Sequence, residues 1–299
     1  PFIVISGNHD SAERLSFASR ILRGTGLFLC GDLYHTLAPV ILKDDDGEVA
    51  FAPLPYAEPG KVREALSADV HTHEEAERVL SDFLLRQMGH AARKIAIAHE
   101  FVAGGSASDS ERPLSIGGTD LISADVFAPY NYTALGHLHG PQKAGGKENV
   151  RYSGSLLKYS FSEATQKKGV IVGEINGAGQ VKTEFISLSP RHDVRIIKGF
   201  FDDLIKEKSE DFLMAELLDE GPVIDAMARL RQKYPRMMTI QSHRRMNSGS
   251  GERSFELMKK VDPLDMFRVF YKEFQDKEFT EEEENYMKEL WEDLRKEDD

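Results

Sequence analysis

Apolar positions along this chain recur with two different spacings. Short runs rich in β-branched residues, several bounded by Gly, Pro or Asn, predict strands at Phe2–Ser6, Val49–Pro53, Lys94–His99, Tyr132–Leu135, Val150–Ser153, Gly169–Ile175 and Val181–Leu188. Between them the spacing turns helical. Ala76, Val79, Leu80, Phe83, Leu84, Met88 and Ala91 share one face of a helix expected over Glu74–Arg93. A second helix is expected over Ser11–Leu22, with Ser11 or Asp10 placed to cap it. Early strands alternate with helices, and later ones follow one another around Asn176-Gly177. The fold class expected is α/β, a layered sandwich with an antiparallel portion, over residues 1–190.

Past Pro190 the pattern changes. Residues 191–246 read as a small α+β unit, with strands at Val194–Ile197 and Met237–Gln241 and a helix at Val223–Tyr234. Residues 247–260 open with Asn247-Ser248-Gly249-Ser250-Gly251 and read as a linker. Residues 261–299 read as two amphipathic helices. Asp262-Pro263 opens one, with Leu264, Phe267, Phe270, Tyr271 and Phe274 on its apolar face. Thr280 and Glu283 make a capping box for the other, which carries Met287, Leu290, Trp291 and Leu294. A helix pair too small to build its own core is expected to lay that face on another protein, with docking on this chain's own body as the competing reading.

Composition narrows this picture modestly. The 299 residues suffice for one sizeable core, or a core domain and a smaller one. No apolar run approaches the ~20 residues that cross a bilayer. Cys30 is the single cysteine, which excludes an internal disulfide and a cysteine-based zinc site and fits a reducing, cytoplasmic setting. The formal charge of −12 argues at first against nucleic acid. Yet residues 276–299 hold twelve acidic and four basic side chains, so the body is close to balanced and compatible with a local basic groove. A strand directly at Phe2 is an unusual way to begin a domain, and further sequence is expected upstream.

Candidate chemistry gathers at strand ends. Ser6-Gly7-Asn8-His9-Asp10 follows the first strand, where α/β sheets place ligand groups. Asn8 offers a carbonyl oxygen to a cation, and His9 could protonate a leaving oxygen. A plain turn capped by Asp10 or Ser11 is the competing reading. His99 ends a second strand, and Gly136-His137-Leu138-His139 follows a third. In extended chain the two imidazoles, two residues apart, would face the same way. Each histidine alone has a structural explanation; strands ending at one rim would instead gather Asn8, His9, His99, His137 and His139 around metal. His71-Thr72-His73 has the same spacing but opens a helix, so both rings are expected to be exposed, and no ligand role is assigned to them or to His35, His90, His192 or His243.

These segments resemble the calcineurin-like metallophosphoesterases, whose motifs include a GNHD segment, a strand-end histidine and GHxH. Four blocks, Ser6–Leu15 (SGNHDSAERL), Ser110–Gly118 (SERPLSIGG), Ala134–Pro141 (ALGHLHGP) and Tyr152–Glu163 (YSGSLLKYSFSE), are similar in order and wording to the nuclease family that works with an SbcC-type ATPase. The resemblance implies a calcineurin-like sandwich, a DNA-capping role for 191–246, and ATPase binding by 261–299 at the base of the partner's coiled coil. It implies Asn8, His99 and His137 as ligands of one metal and His139 of the other. It makes His9 the histidine on the scissile phosphate, with Asp10 orienting it. Two divalent ions, manganese by family habit and ~3.5–4 Å apart in such sites, would orient a hydroxide and neutralise the phosphate.

The activity so implied is double-strand exonuclease and single-strand or hairpin endonuclease cleavage in DNA repair, recombination and replication, by a homodimer within a heterotetramer. A metallophosphatase of small phosphoesters and a non-catalytic partner-binding chain are the alternatives. One departure is large. The family carries an Asp-x-His motif and a Gly-Asp-x-x-Asp motif before GNHD, and here the chain starts six residues before Gly7. One metal would keep three of its four usual protein ligands and the other only His139, so this sandwich is expected to be N-terminally truncated and its nuclease activity small or absent. Lys143, Lys147, Arg151 and Lys158 near GHxH, and Arg229, Arg231, Arg236, Arg244 and Arg245 further on, are candidate phosphate contacts or ordinary surface.

Overall fold

The computed structural model describes residues 1–108, 121–219 and 221–242, together with 267–268, 271, 280, 283–284 and 286–287. It is a mixed α/β structure with several sheets. Among the described residues no helix is long and apolar enough to cross a membrane.

The first strand, β1 (Phe2–Ile5), leads through a turn into two short helices, α1 (Ala12–Leu15) and α2 (Ser19–Arg23), and then into β2 (Leu27–Cys30), its parallel partner. The helix expected over Ser11–Leu22 is therefore broken. Ala18 lies in the left-handed region at φ 58, which no continuous helix tolerates. The expected Ser11 cap is made, its Oγ accepting from Arg14 N at 3.3 Å.

The next elements build the main sheet: β3 (Val40–Asp44), β4 (Gly47–Leu54), α3 (Pro59–Leu66), α4 (His73–Gln87), β5 (Arg93–His99), the short pair β6 (Phe101–Val102) and β7 (Leu121–Ile122), β8 (Tyr132–Gly136), β9 (Gln142–Ala144) and β10 (Lys147–Tyr152). Its order is β3-β4-β5-β8-β10-β9. The four central strands run parallel and both edge strands are antiparallel. Ala50, Ala52, Ala96 and Ala98 are fully buried on the central strands, small enough for Leu80 and Leu84 of α4 to pack into the same core.

Helix α4 begins with a full capping box between Thr72 and Glu75. It stops at Gln87, well short of Arg93, because Gly89 turns the chain at φ 58 and Arg93 already belongs to β5. The buried Arg93 guanidinium donates to both Asp44 carboxylate oxygens and to the carbonyls of Gly47 and Glu48, clamping the β3–β4 turn to β5.

Glu77 faces the core from α4, and one of its carboxylate oxygens has no hydrogen-bond partner. Burial pushes its carboxyl up from 4.5 to about 8. Between those values the folded chain holds a proton that the unfolded chain has lost. Stability is therefore expected to fall as pH rises from about 4.5 to about 8, by at most ~1.4 kcal/mol per pH unit, and to level off beyond. Denaturant melts across that range should show the slope in the natural sequence and its loss in Glu77→Gln.

Past the main sheet, β11 (Gly169–Ile175) and β12 (Val181–Ser187) form an antiparallel hairpin at Asn176-Gly177, where Asn176 Oδ1 accepts from Ala178 N and Gln180 N. Then come β13 (Val194–Gly199), α5 (Phe201–Leu204), β14 (Phe212–Leu217), α6 (Ala226–Arg231) and β15 (Met237–Ser242). The three strands form one parallel sheet in the order β13-β14-β15. Their cluster, Phe201, Leu213, Ala215, Leu217, Leu230, Tyr234 and Met237, is separate from the core of the main sheet. The central strand β14 was not expected, and the helix is shorter than Val223–Tyr234, starting after Asp225 at φ 51.

The linker 247–260, most of 261–299, the block Ser110–Gly118, His243, Arg244 and Arg245 lie outside the described residues. Within them, Thr280 and Glu283 do make the expected capping box, at 2.9 and 3.3 Å. Arg268 pairs with Glu284, and Tyr271 donates to Glu283 at 3.1 Å, tying the two helical segments to each other.

Candidate metal centre

The ends of three strands, β1 of the small sheet and β5 and β8 of the main one, deliver the candidate residues to one rim. After β1 the chain turns back, Gly7 N donating to Asp10 Oδ2 at 2.7 Å and Asp10 N to Gly7 O at 3.1 Å. This turn presents Asn8, whose Oδ1 lies 2.9 Å from His99 Nε2 at the end of β5. His99 pairs in register with Gly136, the last residue of β8.

Two glycines make room for the ring. A Cβ on Gly7 would stand 2.6 Å from His99 Cε1, and one on Gly136 would stand 2.9 Å from His99 Nδ1. His137 follows at once, its ring 5.4 Å from that of His99 and nearly perpendicular at 78°. Its φ of 104 is costly for a residue with a side chain, the kind of backbone strain that collects at functional positions.

That φ also corrects the extended-chain argument for His137 and His139. The chain leaves strand geometry at His137, so the two rings do not share a face by alternation. His137 turns to His99, whereas His139 Nδ1 lies 3.0 Å from the fully buried carboxylate of Glu163. Burial, and then the neighbouring His137, lower the pKa of His99 to about 4, so its ring is neutral at neutral pH. His9 is exposed on the turn, and His9, Asp10 and His139 all contribute to the field at His99. The carboxylate of Asp10 braces the turn carrying His9.

The donors assembled are therefore an amide oxygen and imidazoles; the imidazoles suit borderline divalent cations such as zinc or iron, and the amide oxygen suits harder ones such as manganese. Among the described residues, no three His, Cys, Asp or Glu side chains form a metal cage by themselves. A cleft of about 480 Å³ opens beside Asn8, with Asp10, Glu13, Asp32, Glu58 and Lys61 as its charged lining. Four carboxylates to one ammonium favour cations there.

The remaining histidines resolve individually. His71 is exposed beside Asp69, as expected. His73 is buried, against expectation: its ring stacks on Tyr56 at 5.5 Å and its Nε2 is 3.5 Å from Glu58. Tyr56 in turn meets His99 edge-on at 6.5 Å. His35 is bonded to Asp32, His90 is exposed, and His192 packs on Phe212.

The candidate phosphate contacts are largely occupied within the chain. Lys143 pairs with Glu148, Lys147 with Asp125, Arg151 with Thr183, and Lys158 with Asp193. In the second unit Arg229 lies 4.2 Å over the Phe201 ring, Arg231 donates to Met237 O, and Arg236 pairs with Glu210. Sequence reasoning missed Glu163 and Lys168 near the centre. The available signal was an acidic residue at the end of an otherwise Ser-rich and apolar block, with a lysine five positions on.

Residues 190–274 match the family model SbcD_C, described as the Type 5 capsule protein repressor C-terminal domain. The match covers the second unit and runs beyond it. It supports an SbcD-related protein; the residues of the candidate metal centre lie outside the matched segment.

Proposed function

We propose that this chain belongs to a DNA nuclease subunit of the SbcD type, a metal-dependent phosphodiesterase that works with an SbcC-type ATPase on DNA ends and hairpins. The observation that carries this is the meeting of Asn8, His99 and His137 beyond the ends of β1, β5 and β8 in a chain whose residues 190–274 are SbcD-like. Asn8, His99 and His137 would hold one divalent ion and His139 would serve a second. When bound, divalent cations of the manganese type polarise phosphoryl oxygens and acidify water.

The chain's own groups do the rest. His99, kept neutral by burial, offers its lone pair without first losing a proton. His9, free on the exposed turn, meets the scissile phosphate and passes a proton to the leaving oxygen. Asp10 holds the turn that carries it. The sandwich and the capping role of residues 191–246 belong to the same reading, as does the partner-binding role of residues 261–299, which would dock on the ATPase.

The test is manganese-dependent cleavage of linear and hairpin DNA by the natural gene product with its ATPase partner. His137→Ala is expected to lower the rate by more than ~100-fold. Unchanged cleavage by that variant, or hydrolysis of a small aryl phosphate with none of DNA, would overturn the proposal.

A further inference from the structure

Glu163 and Lys168 are the most deeply buried ionic pair of the described residues, 2.6 Å apart with 0% and 3% of their side chains exposed. Burying two charges is costly, and well-packed apolar residues of similar volume commonly stabilise a core as well as a buried ion pair does. Their geometry is directed elsewhere. The other carboxylate oxygen of Glu163 meets His139 Nδ1 at 3.0 Å. The Lys168 ammonium also donates to the backbone carbonyl of His139 at 2.7 Å, to Ser155 Oγ at 2.8 Å and to Gln166 Oε1 at 2.8 Å.

One buried cation thus grips the backbone of His139 and the carboxylate on its ring together. The surrounding loop is shaped for this contact. Gly154 sits at φ +78, and a Cβ there would lie 2.6 Å from His139 O, so only glycine lets the loop come close. Ser155 N then donates to the same carbonyl at 3.1 Å, and Tyr159 N donates to Glu163 at 3.3 Å while its ring packs 5.5 Å from His139.

We propose that Glu163, held in place by Lys168, is a positioning residue that fixes His139 as the Nδ1–H tautomer and so presents Nε2 as a lone-pair donor to a divalent cation. A carboxylate can only accept, so the proton must sit on Nδ1 and the other nitrogen is left to ligate. The inference rests on the metal-centre reading of His139.

The experiment is a long-range proton–nitrogen correlation spectrum of the full chain with ¹⁵N-labelled histidine, first without metal. His139 is expected as a single Nδ1–H tautomer in the natural sequence and as the Nε2–H form in Glu163→Gln, whose one amide oxygen turns to Lys168 and Tyr159 N and leaves its NH2 donating to Nδ1. In Glu163→Leu the ring should shift towards the Nε2–H form. Manganese is then titrated in, and the His99, His137 and His139 signals should broaden, with apparent affinity ~10–100-fold weaker in both Glu163→Leu and Glu163→Gln.

An Nε2–H tautomer in the natural sequence, or an unchanged tautomer in Glu163→Leu, overturns the positioning role, and the first of these needs no variant to fold. Manganese that broadens none of the three histidines in the natural sequence overturns the metal-centre reading instead, and the proposal with it.

Discussion

Lys168→Met is expected to destabilise the protein by about 3–5 kcal/mol, a large part of what holds an ordinary domain folded. The substitution leaves the fully buried Glu163 carboxylate without its cation, and it also empties the hydrogen bonds made to His139 O, Ser155 and Gln166. A charge stranded in this way costs more than the pair ever contributed. The double variant Lys168→Met with Glu163→Gln removes the stranded charge and should regain much of the loss. Urea melts of the three proteins decide it. Equal stability of Lys168→Met and the natural sequence would mean that water reaches Glu163.

The second large effect is expected at a glycine. Gly136→Ala puts a Cβ 2.9 Å from His99 Nδ1, inside any real contact distance, and Gly7 also lies close against the ring. Overpacking of this kind costs about 1–3 kcal/mol, but the loss at the site should be greater. His99 is forced off Asn8, and manganese affinity is expected to fall by at least ~10-fold, since displacing a ligand cannot cost less than disturbing its support. Gly173→Ala is the control. It lies on an outer hairpin strand where a Cβ finds its nearest neighbours at 3.8 Å, and it should leave both stability and affinity unchanged. Calorimetric titration of both variants makes the comparison, and natural affinity in Gly136→Ala would show that His99 is not a ligand.

The rim of the site was legible because strand ends are legible. Apolar β-branched runs marked β1, β5 and β8, and α/β folds place ligand groups beyond strand ends, so Asn8, His99 and His137 could be grouped from the sequence, although β1 pairs with β2 outside the main sheet. What escaped depends on contacts distant in sequence. His73 follows a helix cap and reads as exposed, but Tyr56 from another loop covers it. Glu163 reads as one more surface acid until Lys168 and His139 close around it. Two further misreadings are backbone events. Ala18 and His137 adopt positive φ, which no pattern of apolar spacing announces, and each redirects the chain. In the second unit β14, Phe212–Leu217, lacks clean alternation because its central position buries nearly all of it.

Manganese binding by calorimetry tests the central claim most directly, comparing the natural sequence with His99→Ala and His137→Ala. The account predicts a saturable heat in the natural sequence that either substitution removes. Binding that survives both substitutions, or none in the natural sequence, would contradict it.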